Sequence, residues 1–315
     1  MDEPLIVAAD ADGVAQAAAR LLAGGVAAVP TETVYGLAAR AADARGVAAI
    51  YAAKGRPSDN PLIVHVSELA EAERLAVFDA RSRSLAAAFW PGPLTLVLPL
   101  RPGADLADAV TGGRSTVALR VPAHPVMRAL IAAVGPVAAP SANRSGHISP
   151  TCAAHVAASL GAAAGLILDG GQCAAGLEST IVLVEGAAVR LLRPGAVSAE
   201  QLRDVVGHLE GTPQQAATEL LAPGMMASHY APRQPVRLAA RTADETEFHI
   251  GFGDVAGDLN LSATGDLGEA AARLFAALHL AEASGRTGIA VAPVPEEGLG
   301  AAINDRLRRA AADRS

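Results

Sequence analysis

The chain is poor in aromatic side chains, in charge and in long uninterrupted apolar stretches. Aromatic residues make up 3% of its 315 residues, with one Trp, and charged residues make up 18%. Hydrophobic residues reach 51% and alanine is abundant, so we expect an ample core in which helices pack closely through small side chains. This balance argues against a disordered chain, and the lack of any run of about 18 apolar residues argues against a membrane-spanning helix.

Cysteine is almost absent. Only Cys152 and Cys173 occur, and neither a Cys-x-x-Cys spacing nor a zinc motif accompanies them. The opening Met1-Asp2-Glu3-Pro4 is acidic, unlike the basic start of a secretory signal. We therefore expect a cytoplasmic protein with two reduced structural thiols and no metal site built from its own side chains.

An excess of positive charge is lacking as well. The formal net charge is −7 at pH 7, whereas domains that coat nucleic acid usually carry a basic face. Binding of nucleic acid by bulk electrostatics is therefore disfavoured, although a local cationic pocket remains compatible with this composition.

The length favours two domains, because 315 residues exceed what one compact core usually organises. In residues 1–210, short apolar runs alternate with helical stretches bounded by Gly and Pro, which predicts an α/β domain. Residues 211–234 are rich in turn-forming residues and predict an interdomain linker. Residues 235–315 predict a smaller α/β domain.

Strands are expected at short apolar runs and helices at helical spacing of apolar residues. The predicted strands are 26–29, 62–66, 94–98, 116–121, 137–139, 166–168, 181–184, 189–192, 236–240, 248–252 and 288–292. The predicted helices are 44–53, 126–134, 153–160, 198–209, 267–281 and 300–311. A capping box of Asp266 and Glu269 is expected to open the helix at 267.

The segment Lys54-Gly55-Arg56-Pro57 is the first candidate for anion binding. Two cations separated by one glycine diverge on a helix, but they point the same way on an extended or looped backbone, where they could clamp a polyphosphate. Gly55 would let the backbone approach a phosphate closely. Two solvated surface charges are the alternative interpretation.

Two other polar positions leave alternatives open. The hydroxyls and carboxylate of Thr31-Glu32-Thr33 either face a ligand or satisfy a tight strand-to-helix turn after Pro30. His65 ends an apolar strand, where it either contacts substrate or is a hydrogen-bonded, half-buried side chain. We do not assign it as a base.

Arg120 lies in the apolar strand pattern of residues 116–121. A guanidinium there requires a fixed anion, either an amino-acid carboxylate or the partner in a structural ion pair. Ser141 and Asn143 repeat the one-residue gap of the two cations within a polar loop, 140–151, between a predicted strand and a predicted helix. Loops in that position bind ligands in open α/β sheets, and ordinary turns are the alternative.

A spaced set of motifs runs through most of the chain. Its members are 30–37, 54–57, 60–62, 90–95, 119–122, 141–146, 178–181, 193–195, 228–232 and 295–300. Together they resemble the YrdC-like threonylcarbamoyl-AMP synthases, in the longer form that carries an extra carboxy-terminal domain. The resemblance implies a YrdC-like twisted mixed sheet flanked by helices, with a concave pocket, followed by a small Rossmann-like α/β domain.

The resemblance also implies a reaction. L-threonine, bicarbonate or carbon dioxide, and ATP would give threonylcarbamoyl-AMP and pyrophosphate, for threonylcarbamoyl-adenosine modification of tRNA. Attack of a carbamate oxygen on the α-phosphate brings two anions together, which suits preplaced cations and hydrogen-bond donors. Mg²⁺ is implied with ATP, and phosphate oxygens and water would supply most of its ligands, because no carboxylate cage is evident.

The resemblance implies three sets of site residues in this chain. The catalytic set is Lys54, Arg56, Ser141 and Asn143. The threonine-binding set is Thr33, His65, Arg120 and Ser179, with Arg120 on the carboxylate. The ATP-binding set is Lys54, Arg56, Ser115, Ser141, Ser149, Arg193 and Tyr230. The linker containing His229 and Tyr230 is expected to fold over the pocket as a lid.

One departure from the family and two rival functions complete the expectations. The family commonly has an acid shortly after the Ser-Thr pair, where this chain runs into Leu183, so no role is assigned to such an acid. An RNA-binding module would use the same cationic face, but the negative net charge of the chain disfavours this function. Carbamoyl transfer from carbamoyl phosphate occurs in similar domains of hydrogenase-maturation proteins, whose zinc-finger and acylphosphatase regions we do not find here.

The expected partners beyond the substrates are downstream tRNA threonylcarbamoyl-transferase proteins; contact with tRNA is not evident, and a membrane is not expected.

Overall fold

The computed structural model describes residues 4–186, 188–210 and 229–312. Two sheets lie in these ranges, one of ten strands within residues 5–193 and one of four strands within residues 236–291. The expected architecture, a mixed sheet flanked by helices and followed by a small α/β unit, is confirmed. The domain limits at residues 210 and 235 stay a prediction, and residues 211–228, most of the predicted linker, lie outside the described residues.

The large sheet mixes parallel and antiparallel pairs. Its strands are β1 (Leu5–Ala8), β2 (Ala27–Val29), β3 (Gly36–Arg40), β4 (Ile63–His65), β5 (Leu94–Pro99), β6 (Thr116–Arg120), β7 (Val137–Ala138), β8 (Leu166–Asp169), β9 (Thr180–Glu185) and β10 (Ala188–Arg193). They lie in the order β1-β8-β2-β3-β7-β4-β6-β5-β9-β10.

Helices connect these strands, and several begin at polar caps. They are α1 (Ala11–Leu22), α2 (Ala44–Lys54), α3 (Leu69–Leu75), α4 (Ala80–Phe89), α5 (Pro125–Val134), α6 (Ala153–Leu160) and α7 (Ala199–Val206). Three of them begin after an aspartate whose side chain accepts a backbone N–H of the first turn: Asp10, Asp43 and Asp79. Helix α7 ends at Val206, earlier than predicted, because Gly207 takes φ 77° and its N–H closes the helix on Arg203 O.

Alternation along β4 and β6 decides which side chains meet. Successive side chains of a strand point to opposite faces of the sheet. Val64 and Leu119 therefore enter the main core, while Ile63 lies in a small apolar cluster on the other face. His65 shares the face of Ile63 and pairs in register with Arg120 on the parallel neighbour. This second face of the sheet carries the polar site.

The C-terminal unit is a parallel four-stranded sheet with two helices. Its strands are β11 (Val236–Arg237), β12 (Glu247–Gly251), β13 (Leu259–Asn260) and β14 (Gly288–Val291), in the order β11-β14-β12-β13, and its helices are α8 (Leu267–Ala283) and α9 (Leu299–Ala311). Its apolar core also takes in Val34, Ile148 and Leu177 from the larger unit, so the two units share buried contacts. None of the helices that the structure describes combines the length and apolarity needed to cross a membrane.

Three strands escaped prediction: β1, β3 and β13. The residues of β3, Gly36–Arg40, are mostly small, and their pairing with β2 and β7 rather than their own pattern makes them a strand. The turn after Pro30 therefore joins two strands, and the expected strand-to-helix turn was wrong. At α8, Asp266 accepts from Glu269 N as expected, but the Glu269 carboxylate bonds Arg273.

Candidate active site

A cavity lies on the polar face of the large sheet. Charged side chains reach it from several elements although little of their surface is exposed. It is lined by Thr31, Thr33, Val34, Gly36, Arg56, Ile63, His65, Arg120, Ala139, Pro140, Ser141, Glu178, Ser179, Arg193, His229 and Tyr230. Three arginines in one buried space favour an anionic ligand.

Arg120 is held by the turn between β2 and β3. Its Nη2 donates to Glu32 Oε1 at 2.6 Å, its Nη1 donates to Thr33 Oγ1 at 3.0 Å, and its Nε donates to Gly92 O at 3.1 Å. Thr31 shapes the turn, because its hydroxyl accepts from Thr33 N at 3.1 Å and donates to the Val34 carbonyl at 2.6 Å. Arg120 therefore forms a structural ion pair, one of the two expected alternatives, and it also lines the cavity.

His65 lies beside Arg120 with a neutral ring. Burial, with help from the Arg120 charge, lowers the pKa of His65 to about 3. Its Nδ1 is buried without a hydrogen-bond partner. A neutral imidazole with an unused ring nitrogen can bind a polar ligand group, and its low basicity agrees with not assigning it as a base.

Lys54 does not form the clamp that the sequence suggested. It is the last residue of α2, and Gly55 follows in the left-handed region at φ 58°, so the backbone is not extended there. The Lys54 ammonium points at the loop after β7, where it donates to the carbonyls of Ser141 and Asn143, each at 2.5 Å. Lys54 is 3% exposed and is not among the cavity-lining residues. Burial, with the charge of Arg56, lowers its pKa well below the ordinary value.

Arg56 is the member of the pair that reaches the cavity. Its Nη2 donates to Asn60 Oδ1 at 2.6 Å and to Pro61 O at 2.8 Å, and its Nε donates to Asn60 O at 3.1 Å. Burial lowers the pKa of Arg56 to about 10, so it stays charged at neutral pH. Asn60 and Pro61, of the motif 60–62, thus hold this guanidinium in place by hydrogen bonds.

The loop between β7 and α6 brings the predicted Ser141, Asn143 and Ser149 together. Ser141 lines the cavity. Asn143 is buried, and its Nδ2 donates to Arg144 O at 2.9 Å and His147 O at 2.7 Å, while its Oδ1 has no partner. Ser149 Oγ donates to Glu178 Oε1 at 2.5 Å. The loop after β7 therefore reaches the cavity through Ser141, and its role in ligand binding stays a prediction.

Ser179 and Arg193 form the next part of the wall. Arg193 Nη2 donates to Ser179 O at 2.9 Å and lies 3.3 Å from Ser179 Oγ, while Thr95 Oγ1 lies 2.7 Å from that hydroxyl. Arg193 is 4% exposed, and burial lowers its pKa. Both residues, which the sequence placed in separate motifs, share one wall of the cavity.

Tyr230 enters from the described end of the predicted linker. Its backbone takes φ 62°, an uncommon conformation for a residue with a side chain, and its ring contacts His229 and Phe275 with centroids 4.1 and 5.6 Å apart. The hydroxyl is buried without a hydrogen-bond partner. Burial, followed by the Arg56 and Lys54 charges, lowers the pKa of His229 well below its ordinary value, so its ring is neutral.

Most predicted residues meet in this region. Lining the cavity are Thr33, Arg56, His65, Arg120, Ser141, Ser179, Arg193 and Tyr230, and directly behind it are Lys54, Asn143 and Ser149. Ser115 does not join them: it is exposed before β6, at the end opposite Arg120, and lines a separate surface depression near Leu100. Its assignment to ATP stays a prediction without support from this geometry.

Glu178 and Arg306 were assigned no role from the sequence. Glu178 lines the cavity, and Arg306 of α9 donates to it at 2.8 Å. A signal existed for Arg306, because it shares the buried face of an amphipathic helix with Ile303 and Ala310, where an arginine requires an acidic partner.

No group of three or more His, Cys, Asp or Glu able to hold a metal occurs among the described residues. Glu178 in the cavity lining is also occupied, by Ser149 and Arg306, and Glu32 beside the cavity is occupied by Arg120. Cys152 and Cys173 are free thiols, and burial raises the pKa of Cys173 to about 12, so it is not a nucleophile at neutral pH.

Fold and cavity together define an α/β protein with two sheets and a buried cavity lined by three arginines. A family model described as "Telomere recombination" matches residues 19–195, and one described as "Threonylcarbamoyl-AMP synthase, C-terminal domain" matches residues 197–312. The threonylcarbamoyl-AMP synthase of Bacillus subtilis is 39% identical over 96% of this chain and 93% of its own length. That of Pyrococcus abyssi is 39% identical over 91% and 90%. The chain belongs to the threonylcarbamoyl-AMP synthase family.

A solved structure agrees over both units. P. abyssi Sua5 complexed with L-threonine matches with a TM-score of 0.88 at 36% identity, over 99% of this chain and 97% of that one. HypF in a phosphate- and nucleotide-bound form is similar at the level of fold alone, with a TM-score of 0.52 at 18% identity over 57% of this chain. The predicted family and fold class are confirmed.

Proposed function

We propose that this chain is an L-threonylcarbamoyladenylate synthase that makes threonylcarbamoyl-AMP and pyrophosphate from L-threonine, bicarbonate or CO₂, and ATP. The observation that carries the proposal is the match over 99% of the chain to a relative complexed with L-threonine, together with a cavity that offers arginines to anionic groups. The product would serve threonylcarbamoyl-adenosine modification of tRNA, and downstream tRNA threonylcarbamoyl-transferase proteins would consume it.

Binding of threonine would use the side chains around Arg120. Three of its five N–H donors are engaged by Glu32, Thr33 and Gly92, which leaves two for the carboxylate of the amino acid. The unused Nδ1 of His65 and the Ser179 hydroxyl offer further polar contacts in the same cavity. Glu32 fixes the direction of the guanidinium, so the carboxylate meets a preorganised donor.

ATP would be held by the remaining cations. Arg56 and Arg193 bring two guanidinium groups to the cavity, and the Tyr230 hydroxyl is an unused donor beside them. Lys54 would act without lining the cavity: its ammonium donates to the carbonyls of Ser141 and Asn143 and thereby holds the shape of the loop. The positive charge of this wall suits the negative charge that develops during transfer at a phosphate.

The chemistry needs no covalent intermediate on the protein. The threonine amine adds to CO₂ and loses a proton to give a carbamate; a carbamate oxygen then attacks the α-phosphorus, and the bond to pyrophosphate breaks. Orienting two bound reactants can lower the barrier by roughly 7 to 11 kcal/mol. The anionic reactants are brought together by Arg120 and Arg56, two cations of one cavity.

Magnesium would arrive with the nucleotide as MgATP. The donor set of the cavity does not fit a resident Mg²⁺, because Glu178 in its lining and Glu32 beside it already bind arginines. Phosphate oxygens and water are ligands that Mg²⁺ accepts readily, and no step is assigned to a protein-bound ion.

The test is pyrophosphate release from ATP with threonine and bicarbonate each omitted in turn. We expect release only with all three substrates, and a loss of at least a hundredfold in Arg56→Ala, whereas Arg74→Ala, whose side chain is 70% exposed, should match the wild type. Release that does not depend on threonine would overturn the proposal. Activity with carbamoyl phosphate in place of threonine and bicarbonate would support the rival carbamoyl transfer, and salt-sensitive RNA binding without turnover would support an RNA-binding module. A cytoplasmic location stays a prediction.

A further inference from the structure

The C-terminal unit places one arginine against the cavity wall. Arg306 of α9 is fully buried, at 0% exposure, between the two units. Its Nε donates to Glu178 Oε2 at 2.8 Å, and its Nη1 donates to Pro194 O at 2.9 Å and to Asp305 Oδ2 at 2.7 Å. Asp305 is a neighbour on the same helix, whereas Glu178 and Pro194 belong to the larger unit.

Glu178 passes this contact on to the cavity. Its Oε2 binds Arg306, and its Oε1 accepts from Ser149 Oγ at 2.5 Å, so the carboxylate connects the C-terminal helix to the loop before α6. Glu178 itself lines the cavity and directly precedes Ser179. If the arginine were removed, a buried carboxylate would lose its main counter-charge and would become protonated or move.

Arg306 also supports Tyr230. The carbon at the centre of its guanidinium lies 5.1 Å from the centroid of the Tyr230 ring, a cation–π distance. The left-handed backbone of Tyr230 is unfavourable unless the surroundings determine it, and this ring contact, with that of Phe275, supplies such support.

Arg306 therefore touches three segments of one wall: Glu178, Pro194 beside Arg193, and Tyr230. It does not line the cavity itself. We infer that Arg306 is a positioning residue through which the C-terminal unit sets the ATP-binding wall of the site, acting on Glu178 and Tyr230. The inference rests on the proposed function for the identity of the ligand.

The experiment compares full-length Arg306→Met, Arg306→Lys and the control Arg308→Met. Arg308 lies on the same helix, but its side chain is 50% exposed and pairs with Glu296. ATP binding is measured by calorimetry, and Michaelis constants for ATP and threonine by pyrophosphate release. We expect Arg306→Met to weaken ATP binding at least tenfold and to leave the KM for threonine within twofold. Arg306→Lys should lose less, because it keeps the charge but not the fork of donors.

A double-mutant cycle separates positioning from general loosening of the fold. If Arg306 acts through Glu178, then Glu178→Gln combined with Arg306→Met should weaken ATP binding no more than the stronger single change. Additive losses, an equal rise of both KM values, or ATP binding unchanged in both Arg306 variants would overturn the inference. If Arg306→Met fails to fold in a thermal melt, Arg306→Lys decides by the same readouts.

The proposed function can fail separately. Wild-type protein that binds ATP without releasing pyrophosphate would refute the synthase assignment, while the ratio of ATP dissociation constants would still test Arg306. Wild-type protein that binds no ATP would overturn both.

Discussion

Glu32 and Arg120 lie 88 positions apart in the sequence, yet their side chains are joined by a hydrogen bond of 2.6 Å beside the cavity. Burial alone would raise the pKa of Glu32, but the Arg120 charge and hydrogen bonds outweigh it and hold the pKa at about 2, below the ordinary 4.5. The pair both stabilises the fold and aims the guanidinium.

This pair predicts an acid limit to stability. A carboxylate whose pKa is lowered from 4.5 to about 2 contributes stability that is complete above pH 4.5 and is lost as the pH falls through 2. The shift corresponds to about 3 kcal/mol. Denaturant unfolding between pH 5 and 2 should therefore show a steep decline in the wild type and a shallower one in Glu32→Gln. Parallel pH profiles for the two proteins would contradict the prediction.

Lys54 should not be replaceable by arginine. It is the only lysine among the 25 Lys and Arg residues of the chain, and its ammonium meets two carbonyls in a space with 3% exposure. A planar guanidinium is larger and cannot direct its donors to both carbonyls in that geometry. We expect Lys54→Arg to lose about a hundredfold in pyrophosphate release. The reverse change at an exposed site, Arg74→Lys, serves as the control and should be neutral.

A single lysine also allows the ionisation of Lys54 to be followed directly. Protein labelled with ¹³C-lysine should give one side-chain Cε resonance. Burial opposes the charged form of Lys54, and repulsion from Arg56 adds to this effect. The titration midpoint of Lys54 should therefore lie well below the ordinary 10.5. A midpoint at or above 10.5 would show that the two carbonyls outweigh burial.

Two histidines predict a second pH effect, at the contact between the two units. The rings of His155 on α6 and His279 on α8 stack with centroids 3.9 Å apart, and burial, reinforced for His155 by its neighbour, lowers both pKa values from 6.5 to about 4. His155 Nδ1 lies 3.3 Å from Thr151 Oγ1, and His279 Nε2 lies 3.1 Å from Ser149 O.

A lowered histidine pKa means that the fold favours the neutral rings. The stability is complete above pH 6.5 and is lost as the pH falls towards 4, by on the order of 2 kcal/mol for each ring after allowance for solvent screening. The melting temperature should decline over this window and decline less in His155→Gln. Identical slopes for the two proteins would refute the idea. This pH window, from 6.5 to about 4, lies mostly above the Glu32 window, from 4.5 to about 2, so one pH titration separates the two effects.

Tyr230→Phe should separate binding from stability. The hydroxyl is buried without a partner, so its removal should leave the melting temperature unchanged or slightly raised. If the hydroxyl donates to a ligand, the KM for ATP should rise about tenfold, the value of one lost hydrogen bond. Phe78→Leu, a change in the core away from the cavity, is the opposite control: it should lower the melting temperature and leave the KM unchanged. An unchanged KM for ATP in Tyr230→Phe would show that the Tyr230 hydroxyl does not bind ATP.

The motifs of the sequence located most of the site because each is a local pattern that the chain carries whatever its partners are. Helix α6 was predicted at its observed bounds, Ala153–Leu160, since Gly161 stops it locally. Strand β3 was missed, because its small residues become a strand only when β2 and β7 pair with them. The clamp at Lys54 was predicted on an extended backbone, whereas helix α2 continues to Lys54 and turns its ammonium to the loop.

The sequence by itself determined the family, the α/β class and most of the polar residues that line the cavity, because these depend on residue identity and spacing. Only the tertiary structure decided their partners: Arg120 with Glu32, Lys54 with two carbonyls, and Arg306 with Glu178. These contacts join residues far apart in the chain, and a buried charge takes its orientation and its pKa from whatever folding brings within a few ångström of it.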